Sequence, residues 1–146
     1  MFYRIVRVVY PYLFRVFNFY RFKAKICRFA PGQILLGKGS SISAGSIVSL
    51  ALGAKLYVGD GVYIGEYCNI RCDKEIRIGE NSKIAQFVTI VDGDYKFGSD
   101  LGYSERNVTP IIIGKNVFIG SHCCILRGAK IPDYEVIGAL SSWRKK

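Results

Sequence analysis

The sequence predicts an all-β solenoid, in which short strands wind around one common axis, and two observations lead to this prediction. First, an aliphatic residue returns every sixth position over most of the chain. This period fits neither a helix, at about 3.6 residues per turn, nor a single strand, at about 2. Second, Gly or Ala directly follows many of these aliphatics. A six-residue period is typical of coils in which each short side points one aliphatic side chain towards the axis.

The period is clearest in Pro110–Gly138 and predicts two kinds of inward position. The aliphatic positions are Leu36, Ile42, Val48, Leu52, Val58, Ile64, Ile70, Ile78, Ile84, Ile90, Ile113, Ile119, Ile125, Ile131 and Ile137. The small positions, four residues further on, are Ser40, Ser46, Val62, Cys68, Ser82, Val88, Val117, Cys123 and Ala129. We expect Gly at the corners to supply the positive φ that tight turns require, and Trp143 to close the C-terminal end.

The N-terminal residues 1–29 form a separate basic segment that precedes a solenoid domain of residues 30–146. The segment holds much of the charge excess of a chain with net charge +10. Drawn as a helix, it places most of its basic residues on one side and apolar residues on the rest, and Pro11 kinks the helix or separates two helical pieces. Such an amphipathic helix can lie on a membrane surface or cover the open end of the solenoid, and the sequence leaves both open. The charge lies on an apolar-faced segment rather than in a groove, so we expect no nucleic-acid partner.

Residues 91–109 interrupt the period. They are rich in Gly, Asp, Ser, Asn and Tyr and contain no aliphatic repeat, which predicts an excursion loop that leaves the solenoid. Loops held by a rigid scaffold often carry binding and catalytic residues. The short turn at Lys74 and Glu75 is interpreted instead as solvated surface.

The five cysteines favour a reducing compartment, because their number is odd and the chain shows no signal-peptide pattern. Cys68 and Cys123 fall on small inward positions and are predicted to be core thiols. The alternative is a zinc site built from Cys68, Cys72, Cys123 and Cys124. The six-residue phase sends these side chains in different directions, so no metal is expected.

The segment from Ile111 to Ile131, IIIGKNVFIGSHCCILRGAKI, resembles the signature of the hexapeptide-repeat acyltransferases, with Phe118 where most members have Trp. Within that family the closest likeness is to the galactoside, maltose and polysaccharide O-acetyltransferases, and it covers roughly residues 36–145. The resemblance implies a left-handed parallel β-helix, a homotrimer and acetyl-CoA as co-substrate.

The resemblance also implies where the catalytic residues should lie, just after the period breaks. Asp92, Asp94 and Tyr95 occupy this place, and Tyr95 stands where the family has His. Tyr is a poor base at neutral pH, so the two carboxylates are the other candidates for taking up a proton. His122 is the one histidine, and its place in the period is an outward-facing corner.

The positions that match the family's coenzyme contacts are Gly120, Ser121, Ala139 and Lys145. The implied function is a coenzyme A-dependent O-acetyltransferase that acts on a sugar of a surface polysaccharide or its precursor. The alternative is a catalytically silent solenoid that serves as a subunit or scaffold, because the usual His is replaced by Tyr95. We expect a cytoplasmic location, with peripheral contact to the inner face of the membrane if residues 1–29 bind lipid.

Overall fold

The computed structural model describes residues 32–95 and 106–144, and the backbone of two short strands, β1 (Arg4–Ile5) and β2 (Lys25–Arg28). The other strands, in chain order, are β3 (Gln33–Leu36), β4 (Ser41–Ile42), β5 (Ile47–Leu50), β6 (Lys55–Val58), β7 (Tyr63–Ile64), β8 (Asn69–Cys72), β9 (Glu75–Ile78), β10 (Lys83–Ile84), β11 (Thr89–Val91), β12 (Gly93–Tyr95), β13 (Arg106–Val108), β14 (Ile111–Ile113), β15 (Phe118–Ile119), β16 (Cys124–Leu126), β17 (Lys130–Ile131), β18 (Val136–Ile137) and β19 (Ser142–Trp143).

Each coil of the chain adds one strand to each of three sheets. The first sheet has the order β1-β3-β6-β9-β14-β17, the second β18-β15-β10-β7-β4, and the third β19-β16-β11-β8-β5-β2. All pairs within these sheets are parallel except β1 with β3. The three sheets enclose a narrow prism. The predicted all-β fold, a parallel β-helix, is confirmed.

The core of the prism contains nearly all of the predicted inward residues. It also contains buried residues that the six-residue phase did not predict, namely Ile34, Leu50, Ala54, Leu56, Cys72, Ile76 and Ile111. The small inward positions are at most 1% exposed. The aliphatic positions are at most 3% exposed, apart from Leu36, which is half-buried, and Leu52. Ser46 shows why small polar residues suit this place. Its hydroxyl donates to the Gly65 carbonyl and accepts from the Cys68 amide on the next coil, so the buried oxygen has partners and links two coils.

Leu52 does not point inward, and this part of the prediction is wrong. Its side chain is 72% exposed, whereas Val48 and Leu50 are both buried. Strand β5 is four residues long, so it points two side chains inward rather than one. The two extra residues carry Leu52 to the tip of the following turn.

Glycines that follow the inward aliphatic residues are needed because the next coil passes too close for a side chain. We expected them to supply positive φ, and at these corners that expectation is wrong. The set is Gly37, Gly59, Gly65, Gly79, Gly114 and Gly120, none of which has positive φ. A Cβ added to Gly79 would lie 2.5 Å from the backbone carbonyl of Gly114 on the next coil. The positive φ values belong to other corner residues, namely Gly39, Gly45, Gly53, Gly61, Gly128, Tyr67, Asn81, Phe87, Asn116, His122, Tyr134 and Leu140.

Two alanine substitutions separate these roles of glycine. Gly79→Ala is expected to lower the free energy of unfolding by about 3 kcal/mol, because backbone atoms of the next coil must shift. Gly53→Ala meets no atom within 4 Å and has only the strain of φ +74°, which costs about 1 kcal/mol. Urea unfolding of both variants measures the difference. Equal losses, or a larger loss at Gly53, would show that φ rather than coil spacing selects glycine.

Both described pieces of the N-terminal segment are strands. β2 pairs in parallel with β5, so the third sheet begins before residue 30. β1 pairs with β3 and covers its free edge, which fits the capping alternative. The predicted helix therefore does not include these two pieces. Residues 1–3, 6–24 and 29 lie outside the description, as do 30–31, 96–105 and 145–146. Within the described residues, no helix is long and apolar enough to cross a membrane.

Candidate functional site

A two-stranded hairpin leaves the prism at the corner between the third and first sheets. β12 and β13 pair antiparallel, with Gly93 opposite Val108 and Tyr95 opposite Arg106. These strands are the two ends of the predicted excursion, and its middle, residues 96–105, lies outside the description. The amide of Thr109 donates to the carbonyl of Asp92 at 2.9 Å, so the outgoing and returning chains meet at the base of the hairpin. We call this part the hairpin corner.

Asp92, a predicted catalytic residue, is fully buried at the base of the hairpin. Its carboxylate accepts backbone N–H bonds from Asp73, Lys74 and Glu75 at 2.6, 2.8 and 2.9 Å. Burial raises the pKa of the Asp92 carboxyl, and these hydrogen bonds act against the rise. The carboxylate is turned into the protein, where an acceptor hydroxyl cannot reach it. The turn at Lys74 and Glu75 is therefore more than solvated surface, because its amides hold this carboxylate.

Asp94, the second predicted catalytic residue, lies on the outgoing strand of the hairpin with its side chain 52% exposed. Its carboxylate accepts a hydrogen bond from Nε of Arg127 at 2.5 Å. Arg127 belongs to the next coil and directly follows β16. The ion pair thus fixes an accessible carboxylate against the wall of the prism.

Tyr95, the third predicted catalytic residue, is also exposed, at 45%. The guanidinium group of Arg106 lies over its ring, 4.8 Å from the centroid, which is a favourable cation–π distance. Arg106 also forms an ion pair with Asp73, whose other oxygen accepts from Arg71 at 3.3 Å. Asp94 and Tyr95 are therefore both accessible, and each contacts an arginine, Arg127 and Arg106 respectively.

The predicted coenzyme positions meet at a different corner, between the second and third sheets. Ser121 accepts a backbone hydrogen bond from Leu140 at 2.9 Å. A Cβ on Gly120 would lie 2.5 Å from the amide nitrogen of Ala139. These two stacked turns therefore bring Gly120, Ser121 and Ala139 together, and we call them the Ser121 corner. Lys145 lies outside the described residues.

His122 lies at the Ser121 corner and not at the hairpin. Its exposed ring stacks on Phe87 with the centroids 4.8 Å apart, and Phe87 stacks on Tyr67 at 5.3 Å. All three residues have positive φ. This column of rings follows the coils along the edge of the prism, and the prediction of an outward corner for His122 agrees with it.

Within one copy of the chain, the two predicted groups of site residues are separated. Strand β16 connects the Ser121 corner to Arg127 at the hairpin corner. The five steps along the chain from His122 to Arg127, with strand at Cys124–Leu126, span roughly 16 Å. The outer face of the third sheet lies between them, so the predicted catalytic and coenzyme positions do not touch.

Cys68 and Cys123 are thiols of the core, as the sequence predicts. Cys68 and Cys123 are buried, and their thiols donate to the carbonyls of Ala85 and Gly138 at 3.1 and 3.0 Å. Burial, assisted by the nearby charge of Asp92, raises the pKa of Cys72 to about 12. Cys124 is exposed. No group of three His, Cys, Asp or Glu side chains that could hold a metal ion occurs within the described ranges.

Sequence reasoning missed Asp73, Arg106 and Arg127. Asp73 and Arg127 contact hairpin residues that are distant along the chain, because Asp73 pairs with Arg106 and Arg127 pairs with Asp94, each across 33 residues. Arg106 lies within the interrupted period, which is the one signal in the sequence that could have identified it.

No family model matches the chain, but individual proteins do. The Putative colanic acid biosynthesis acetyltransferase WcaF of Escherichia coli K12 is 29% identical over 123 residues, 84% of this chain and 64% of that protein. Galactoside O-acetyltransferase of E. coli K12 is 36% identical over 93 residues, 63% of this chain and 46% of that protein. The chain thus spans less than two thirds of both curated relatives.

The fold also matches a solved structure. AntD, an N-acyltransferase from Bacillus cereus in complex with dTDP and 3-hydroxybutyryl-CoA, superimposes with a TM-score of 0.69. The match covers 90% of this chain and 78% of that chain, at 16% sequence identity. At this identity the likeness concerns the fold.

Proposed function

We propose that this chain, a homologue of the hexapeptide-repeat acyltransferases, transfers an acetyl group from acetyl-CoA to a sugar hydroxyl of a surface polysaccharide or its precursor. The observation that carries the proposal is the sequence likeness to galactoside O-acetyltransferase and to WcaF. The geometry also supports the proposal. The Asp94 carboxylate is accessible, lies on a hairpin at the break in the repeat and is bound by Arg127.

The proposed reaction needs a proton acceptor close to the sugar hydroxyl. The hydroxyl oxygen attacks the thioester carbonyl carbon, the carbon–sulfur bond breaks, and coenzyme A leaves as the thiol after taking up a proton. We assign the removal of the hydroxyl proton to Asp94, because its side chain is exposed while that of Asp92 is buried. Tyr95 is proposed to contact the acceptor beside it.

The Ser121 corner is proposed to hold the pantetheine arm of the coenzyme, with Lys145 near its phosphates. Ser121 supplies a hydroxyl at the surface, and Gly120 leaves no side chain between the stacked turns. The distance from this corner to the hairpin of the same copy supports a site that two copies share. We therefore propose a homotrimer, in which the hairpin of one copy faces the Ser121 corner of its neighbour.

A catalytically silent scaffold is the second candidate. The observation that favours it is Tyr95 at the position where the family has His. His122 cannot replace that residue within one copy, because it lies at the other end of β16. In this candidate function the chain folds and assembles in the same way but catalyses no acetyl transfer.

Turnover of acetyl-CoA in the presence of a panel of sugars separates the two candidates. We expect thiol release that depends on a sugar acceptor and calorimetric binding of acetyl-CoA to the protein. His122→Ala serves as a matched control at the Ser121 corner and is expected to keep most of the rate. A protein that neither binds acetyl-CoA nor releases its thiol with any sugar would be the scaffold, and the enzyme proposal would fail.

The proposed location is the cytoplasm, where acetyl-CoA is made. Residues 1–29 remain a proposed contact with the inner face of the membrane, supported by their basic and aromatic composition. The pairing of β1 with β3 supports the capping role for part of the same segment.

A further inference from the structure

We infer that Asp92 is a positioning residue, which fixes the hairpin to the prism through its carboxylate and thereby sets the place of Asp94. This inference rests on the proposed function, because Asp94 is the group that Asp92 positions. It gives Asp92 a role different from that of the base that the sequence predicts.

The carboxylate of Asp92 joins two coils of the prism. The residue comes directly after β11. Of the three amides that it binds, two belong to the turn between β8 and β9 and the third to the first residue of β9, one coil earlier. Those amides are consecutive along the chain, so their N–H groups converge on one anion site. Both carboxylate oxygens are used, Oδ1 by one amide and Oδ2 by two. The side chain of Asp92 therefore holds the base of the hairpin to the preceding coil.

A second contact holds the returning strand of the hairpin to the same turn. Arg106 opens β13, and its guanidinium group pairs with Asp73, whose own amide binds Asp92. The same guanidinium lies 3.4 Å from the carbonyl of Gly93 and over the ring of Tyr95. A Cβ on Gly93 would lie 2.5 Å from the Asp73 carboxylate. Both strands of the hairpin thus attach to one turn, and little space is left for the hairpin to tilt.

Burial decides between positioning and catalysis for Asp92. A base must reach the proton that it removes, within about 3 Å or through one water. The Asp92 side chain is 0% exposed, and its oxygens already face three amides. Any influence on the reaction must therefore pass through the hairpin, whose next residues are Gly93 and Asp94.

The test is Asp92→Asn, which keeps the size of the side chain and replaces one acceptor oxygen by an NH₂ donor. In either orientation the NH₂ group faces an amide N–H, so the turn and the hairpin base separate. We expect amide hydrogen exchange of β12 and β13 to become about tenfold faster, with β10 and β15 unchanged. We expect kcat to fall by about tenfold with an unchanged KM for acetyl-CoA.

Asp133→Asn is the matched control. Asp133 also accepts a backbone amide, from Lys115 at 2.8 Å, at the corner between the first and second sheets. It should leave hairpin exchange and kcat unaltered. If Asp92→Asn does not fold, Arg106→Lys decides instead, because it keeps the charge but loses the planar fork. It should speed exchange in β13 and lower kcat.

Two outcomes overturn the inference. One is hairpin exchange at the wild-type rate in the folded variant, and the other is faster exchange with an unchanged kcat. Hydrogen exchange can be measured without turnover. If the wild-type protein has no activity, the proposed function fails, but hydrogen exchange still tests whether Asp92 attaches the hairpin.

Discussion

Ile84→Ala is expected to lower the free energy of unfolding by about 2–5 kcal/mol, the usual cost of truncating a fully buried isoleucine. Ile84 is 0% exposed and lies in the middle of the second sheet, between Ile64 and Ile119. The neighbouring coils are held apart by their backbone hydrogen bonds, so they cannot close the cavity. Urea or thermal unfolding of the purified protein measures the loss.

Lys83→Ala is the control for this prediction. Lys83 precedes Ile84 in the same strand, but its side chain points outward and donates to the carbonyl of Gly61 at 3.0 Å. Removing it should change the free energy of unfolding by less than about 0.5 kcal/mol. Comparable losses at the two positions would contradict the alternation of inward and outward side chains on which the prism depends.

Asp94→Asn is expected to lower kcat for acetyl transfer by about a hundredfold or more, the usual contribution of a positioned base. The substitution keeps the size of the side chain and an oxygen that can accept from Arg127. The fold and the binding of acetyl-CoA should therefore be preserved. Steady-state kinetics together with calorimetry check both parts, and an Asp94→Asn protein with wild-type kcat would contradict the assignment.

Mixing two inactive variants extends this prediction to the arrangement of the site. Ala139→Trp should block the Ser121 corner, since Ala139 is exposed there. Co-expressed in equal amounts with Asp94→Asn, it should restore about one quarter of wild-type activity if each site takes its two corners from different copies. A site contained within one copy would regain nothing. Restoration therefore separates a shared site from a self-contained one.

The sequence predicted the core well because the direction of a side chain in a solenoid is a local property. A residue at the right phase points inward whatever the neighbouring coil contains, as Ile84 and Ile119 show. Leu52 failed for a local reason as well, since two extra residues in β5 shifted the phase. Its short spacing from Val48 was the available sign of an irregular corner.

The site was less predictable, because its contacts join coils that are distant along the chain. The role of Asp92 depends on amides 17 to 19 residues earlier. Asp73 and Arg106 are 33 residues apart, as are Asp94 and Arg127. The need for glycine at Gly79 depends in the same way on the passage of the next coil. The six-residue period indicates which residues point inward, but it does not indicate which side chain of one coil bonds to which group of another.

A structure of the protein with coenzyme A bound tests the central claim, that the hairpin carries the chemistry of acyl transfer. The account predicts that the pantetheine arm runs along the Ser121 corner and that the coenzyme sulfur lies beside Asp94 of a neighbouring copy. Coenzyme bound with its sulfur remote from every Asp94 in the assembly would contradict it.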